Sequence, residues 1–229
     1  MSDKILLRTT RKGTIINGTS SGQEKKITIA LETVLAKLRE TFGGKNVKIE
    51  KSVYLNDVIK QLKAKYPKTE FDETFQTSAM KPDGGIVYII GKSGDKFPVL
   101  ISEVKNQGTN DLRATEGLRA QARGNAIERL GKNVIGFRAM LMTETIFPFI
   151  RFGYGCDFED KSSIIDRVKT IAMFGKLNKI YLHNQDHFNR GSFFFRPAKW
   201  TIEEMVKPMY EIAKQSIEYY LQKYGESNF

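Results

Sequence analysis

Apolar residues recur at helical spacing in two stretches of the first third of the chain. Ile27, Leu31, Val34, Leu35 and Leu38 share one face of a helix predicted over 24–42. Val58, Ile59 and Leu62 share one face of a second over 56–66, which Pro67 stops. The period then changes. Ile86-Val87-Tyr88-Ile89-Ile90 is a β-branched and aromatic run, Gly91-Lys92-Ser93-Gly94-Asp95-Lys96 a glycine-rich turn, and Phe97-Pro98-Val99-Leu100-Ile101-Ser102-Glu103-Val104 a second run, so a β-hairpin is expected. Beyond it the pattern predicts helices over 122–130, 137–143, 163–174 and 201–223, and strands over 146–152, 179–182 and 192–196. Thr201 followed by Glu204 is a capping-box signature. Interleaved helices and strands with no repeat period point to a mixed α/β or α+β fold around one central sheet.

The first 23 residues break this patterning. They are polar, basic and poor in apolar periodicity, and read as a mobile N-terminal arm ahead of a single domain over 24–229. A length of 229 residues is enough to bury a substantial core in one domain.

Thirty-seven basic against twenty-six acidic residues give a formal charge of +11, which favours polyanionic partners such as nucleic acid. An anionic membrane is the weaker candidate. No apolar run approaches the roughly 20 residues needed to span a bilayer, and the start Met1-Ser2-Asp3-Lys4 lacks a secretory apolar region. A cytoplasmic protein is expected. Its one cysteine, Cys156, excludes an internal disulfide framework. His183 and His187 stand four apart, but no cysteine or third histidine joins them, and the local sequence reads as a turn rather than a zinc site. Phe193-Phe194-Phe195 and Trp200 are read as core or interface rather than as a stacking platform for bases.

The candidate chemistry lies around the hairpin. Asp83 sits in Lys81-Pro82-Asp83-Gly84-Gly85, and twenty residues later comes Glu103-Val104-Lys105. With the turn centred near Ser93 and Gly94, antiparallel pairing brings Asp83 close to Val104. Strand alternation puts Glu103 and Lys105 on one side and turns Val104 to the other, with its carbonyl available as a further oxygen ligand. Two carboxylates suit Mg²⁺, which takes one or two of them, keeps several waters and binds a phosphate oxygen. A lysine beside them can help deprotonate an attacking water and offset charge on phosphorus. The same residues also have an ordinary explanation, because Pro-Asp-Gly-Gly is a good turn and Glu-x-Lys is common on solvated strand faces.

Gly124-Asn125-Ala126-Ile127-Glu128-Arg129, followed by Lys132-Asn133, is far more distinctive. Together with Pro82-Asp83-Gly84-Gly85, Glu103-x-Lys105 and Phe147-Pro148-Phe149, it resembles the EcoRI family of type II restriction endonucleases over roughly 54–158. The resemblance implies a PD-(D/E)XK fold, with a central mixed sheet flanked by helices. It also implies a homodimer on double-stranded DNA, and Mg²⁺-dependent cutting, with Mn²⁺ as a substitute, at a palindrome with an AATT core and 5′ AATT overhangs. Asp83 and Glu103 match the metal-binding acids and Lys105 the catalytic lysine. Gly124, Asn125, Ala126, Glu128 and Arg129 fall on the segment that reads AATT, and Lys132 follows on the DNA side. Asparagine can bond adenine N6 and N7 together, a carboxylate can accept from an exocyclic amine, and arginine can donate to purine acceptors. In isolation, Glu128 and Arg129 would equally suit an exposed ion pair.

Arg123 suits either a bidentate bond to a flanking guanine or a phosphate clamp. The chain departs from the family's pattern in a short stretch between Lys105 and Gly124. After 158 only Asp166-Arg167 matches the region concerned with outer bases, so Arg167 is carried over from that match alone. The full site stays open between a specific hexamer, a degenerate one and the tetramer. A companion adenine methyltransferase is implied, since such an enzyme would otherwise cut its host's DNA. The rival expectations are a catalytically silent DNA-binding protein and a repair-type nuclease with the same metal site.

Overall fold

The computed structural model describes residues 15–106, 124–154, 163–184, 188 and 190–229, and their side chains from residue 22 onward except at 105, 106, 124–130, 163 and 164. In chain order the elements are α1 (Ile15–Thr41), β1 (Asn46–Glu50), β2 (Val53–Tyr54), α2 (Leu55–Lys65), β3 (Ala79–Met80), β4 (Gly85–Ile90) and β5 (Lys96–Asn106). There follow α3 (Gly124–Met140), β6 (Phe149–Tyr154), α4 (Ser163–Ile171), β7 (Ser192–Arg196), α5 (Ile202–Tyr224) and a 3₁₀ turn at Glu226–Asn228.

Five strands form the central sheet in the order β1-β4-β5-β6-β7, and β2 and β3 pair separately. The first two ladders, β1–β4 and β4–β5, are antiparallel. The next two, β5–β6 and β6–β7, are parallel. This is the mixed α/β architecture expected from the sequence.

Strand alternation builds a separate core on each face of the sheet. Val87, Ile89, Leu100, Val104, Ile150 and Phe152 pack with Leu31, Val34 and Leu38 of α1 and with Met209, Ile212 and Ile217 of α5. Ile86, Tyr88, Ile101 and Phe149 face the other way, against Val58 of α2, Val134 and Phe137 of α3 and Val168 of α4. Because β4, β5 and β6 bury both faces, their sequences read as continuous apolar runs. Phe193 and Phe195 join the second core while Phe194 packs against the first with Trp200, whose Nε1 donates to the Gly153 carbonyl at 2.9 Å. The aromatic run is therefore packing. Among the described residues, no helix is long and apolar enough to cross a membrane.

Several expected boundaries move. Helix α1 begins at Ile15, so the last nine residues assigned to a polar arm are helical. Apolar periodicity marks only the buried stretch of a helix, which can run past it. The helices expected over 122–130 and 137–143 are one element, α3, whose described part starts at Gly124. Its Gly136 sits so close to Met80 that a Cβ there would lie 2.3 Å from the Met80 sulfur, so this glycine marks a close approach rather than a break. The helix over 163–174 stops at Ile171 because Met173 and Phe174 take positive φ of 49° and 59°. The strand expected over 146–152 is Phe149–Tyr154, with Ile146 in an isolated bridge to His183.

No strand forms over 179–182. Asn178 has φ 61°, its amide N donates to the Phe193 carbonyl and its Oδ1 accepts from the Phe195 amide, so side-chain and turn hydrogen bonds close that edge of β7 in place of a ladder. The capping box at the start of α5 is formed as expected, with Thr201 and Glu204 bonding each other's backbone N–H.

Candidate active site

The hairpin register sets the first half of the site. Gly85 pairs with Ser102 and Ile86 with Ile101, which continues to place Asp83 across from Val104. The turn residues enforce this approach. The Gly84 amide donates to the Ser102 carbonyl at 2.9 Å, and a Cβ on Gly84 would lie 2.2 Å from the Ser102 Oγ. Gly85 has φ 101°, and a Cβ there would come within 3.0 Å of the Glu50 carbonyl oxygen. A side chain at Gly84 would push the Asp83 turn off β5, and one at Gly85 would crowd the β1 backbone at a φ that favours glycine, so the two glycines are geometric requirements.

Proline 98 shows how the long strand tolerates an imino acid. Val87 pairs with Leu100 and Tyr88 with Pro98, so Val99 is the extra residue of a β-bulge. Pro98 lies before the start of the β5–β6 ladder at Ile101, where no second strand asks for its missing N–H.

Glu103 is buried to 2% exposure on the sheet face covered by α3. Two groups hold it. The Arg151 guanidinium, also 2% exposed, donates from Nη1 to Glu103 Oε1 at 3.3 Å. Asn133 Nδ2, from the middle of α3, donates to Oε2 at 3.3 Å. The register explains the first contact, since Glu103 and Arg151 are directly paired in the parallel β5–β6 ladder. Burial lowers the Arg151 pKa, while the carboxylates of Glu103 and Asp83 act against that shift. Arg151 thus feels both acids.

Asp83 is half-buried and opens onto a cleft of about 450 Å³. The far wall is α1, through Glu24, Lys25, Thr28, Ile29 and Glu32. Among the described residues no group of three or more His, Cys, Asp or Glu side chains is placed to hold a metal ion. Asp83 opening to water, with the buried Glu103 near it on β5, is nevertheless a hard oxygen donor set that Mg²⁺ accepts, because this ion takes one or two carboxylates and keeps part of its water shell.

The remaining expected residues fall as follows. Lys105 lies in β5, its backbone paired with Gly153, and its side chain is outside the described set. Val104 turns its side chain to the opposite core, as alternation requires. Gly124, Asn125, Ala126, Glu128 and Arg129 form the first turns of α3, with side chains outside the described residues, and Arg123 lies outside them altogether. Lys132 is exposed on α3 and Arg167 is exposed on α4. His183 is in the bridge to Ile146, and His187 and Cys156 lie outside the described residues.

Arg151 and the contact made by Asn133 were not anticipated. The signal for Arg151 was present as one charge in the middle of Phe149-Ile150-Arg151-Phe152. A charged residue inside an apolar strand run either marks a wet edge or has a buried partner, and only the β5–β6 pairing distinguishes the two.

Comparison with known proteins extends this picture beyond the hairpin. A family model described as restriction endonuclease EcoRI matches residues 9–227. The type II restriction enzyme RsrI of Cereibacter sphaeroides is 27% identical over 220 residues, covering 80% of this chain and 79% of that protein. The type II restriction enzyme EcoRI of Escherichia coli is 31% identical over 125 residues, covering 51% of this chain and 44% of that protein.

Proposed function

Because this chain belongs to the restriction endonuclease EcoRI family, we propose that it is a type II restriction endonuclease, hydrolysing both strands of double-stranded DNA at a palindrome with an AATT core and leaving 5′ AATT overhangs. The observation that supports the reading most is the convergence on one strand: the Gly84-Gly85 turn brings Asp83 to β5 across from Val104, next to Glu103, and Asn133 of α3 touches Glu103. The helix that begins with Gly-Asn-Ala-x-Glu-Arg is therefore anchored on the candidate catalytic acid.

In this reading Asp83, Glu103 and the Val104 carbonyl hold Mg²⁺, with Mn²⁺ as a substitute. When bound, the ion supplies Lewis acidity toward a phosphate oxygen and acidifies a water. Lys105 would orient that water and, as a neutral amine, take its proton, and the ammonium so formed would offset charge growing on phosphorus. Asn125 and Ala126 meet adenine and thymine edges, Glu128 and Arg129 complete the inner reading, and Gly124 admits the backbone close to the bases. Lys132 and Arg167, both exposed, serve phosphates or outer bases. A homodimer matches the two-fold symmetry of such a site, and a companion adenine methyltransferase protects it.

The test is digestion of a fully sequenced plasmid with Mg²⁺ and with EDTA, with the fragment ends read by sequencing. Metal-dependent cuts confined to AATT-containing sites are expected, and they would also reveal the outer bases. Intact DNA that is still retained at specific sites would replace this reading with that of a binding protein.

Arg123 has its own expected result. Arg123→Ala should relax discrimination at the base pair flanking AATT if the side chain reads guanine. Uniform weakening of binding across sequences, with a shallower salt dependence, would assign it to a phosphate.

A further inference from the structure

We infer that Arg151 is a positioning residue that acts as a resident cation of the site: its guanidinium pins one oxygen of Glu103 and balances the carboxylate pair, which makes metal binding conditional on the DNA phosphate. The inference rests on the reading of Asp83 and Glu103 as the metal-binding acids.

Arg151 occupies a position that an apolar residue would fill without difficulty. It alternates with Ile150 and Phe152 of the opposite core and follows Phe149 on its own face, next to Phe193 of β7. A buried ion pair there is a poor source of stability, since replacing both charges by well-packed apolar groups is often neutral or better. Among the described residues the guanidinium is also not fully used by the fold: its Nε has no hydrogen-bond partner there, and it is Nη1 that reaches Glu103. Its charge is therefore best explained by what it does to the acids.

Two carboxylates close together repel and, left alone, attract any divalent cation. With the Arg151 guanidinium bonded to Glu103 and acting on Asp83, these three charges sum to −1, where the two carboxylates alone would sum to −2. A divalent ion arriving without substrate then meets a fixed like charge nearby, whereas a scissile phosphate brings a further negative charge and restores the attraction. Arg151 holds Oε1 of Glu103, and among the described residues Oε2 carries the long Asn133 bond alone, so the second oxygen is the one to turn toward a metal.

The test is calorimetric titration of the full-length protein with Ca²⁺, a hard oxygen-seeking cation like Mg²⁺, with and without an AATT-containing duplex. DNA-free Arg151→Gln, which can still donate to Glu103 but carries no charge, should bind Ca²⁺ at least about tenfold more tightly than the wild type. Arg151→Lys, which restores the charge, should return to weak binding. Equal DNA-free affinity in wild type and Arg151→Gln would overturn the inference while leaving the metal site in place. No Ca²⁺ binding by any form, even with duplex, would instead overturn the assignment of the acids beneath it.

Should Arg151→Gln fail to fold, the double variant Arg151→Gln/Glu103→Gln decides the pairing. Restoration of a cooperative transition by removing both charges supports the pair, and a double variant no more stable than Arg151→Gln alone overturns it.

Discussion

Glu103 and Asp83 carry the same charge, but they sit in different dielectric surroundings, and the two should respond differently to truncation. Glu103→Ala leaves the Arg151 guanidinium buried without its bonded partner, a change worth about 3–5 kcal/mol of lost stability. Asp83 is half-buried beside an open cleft, so Asp83→Ala should cost clearly less. Both should abolish cleavage, and the Asp83 variant is the cleaner probe of binding without catalysis. Urea unfolding of the two variants checks this, and equal losses would mean that Arg151 does not depend on Glu103. The approach of Asp83 to β5 was legible in the sequence because a hairpin register follows from a local turn. Arg151 was not, because its burial depends on a parallel partner 48 residues away, which no local pattern encodes.

At the level of elements, α3 is the member that joins recognition to chemistry in the proposed reading. Its opening residues carry the sequence proposed to read bases, its exposed side presents Lys132, and Asn133 reaches Glu103 two turns further on. Its far end is fixed too, since the Arg138 Nη2 donates to the carbonyls of Ile171 and Arg190 at 3.0 and 2.9 Å, tying the helix to α4 and to the approach to β7. A helix held at both its catalytic contact and its tail can transmit a misplaced base contact to Glu103. Asn133→Ala should therefore slow single-turnover cleavage of bound DNA by about tenfold, the low end for one hydrogen bond to a charged group, with little change in the dissociation constant. A loss of binding with a shallower salt dependence would assign Asn133 to a phosphate instead. The sequence split this helix in two because Gly131 and Gly136 lower its propensity. Packing against Met80 overrides that weakness, and such tertiary compensation lies outside any local reading.

Across the whole molecule, a polar cluster is centred on Glu144, which lines one cavity with Lys96, Phe97 and Pro98 at the start of β5. Its carboxylate accepts from Tyr219 and Lys223 at 2.8 and 2.7 Å on Oε2, and from Tyr224 at 2.8 Å on Oε1, joining the loop after α3 to the last turns of α5. Partial burial works against the charge, but the hydrogen bonds from Lys223, Tyr219 and Tyr224 outweigh it and hold the carboxyl below its usual value of 4.5. A group whose folded pKa is depressed contributes stability above its unfolded pKa and loses it as the pH falls through the folded value. Glu144→Gln should therefore be less stable than the wild type at pH 7 by about 1–2 kcal/mol, as expected for partly exposed bonds to a charged group. That gap should shrink as the pH drops below about 4.5 and close once the wild-type carboxyl is protonated. Chemical unfolding of both proteins across pH 7 to 3 reads the difference directly. A gap that stays constant through the acid range would show that α5 is held by the shape of the Glu144 side chain and not by its charge.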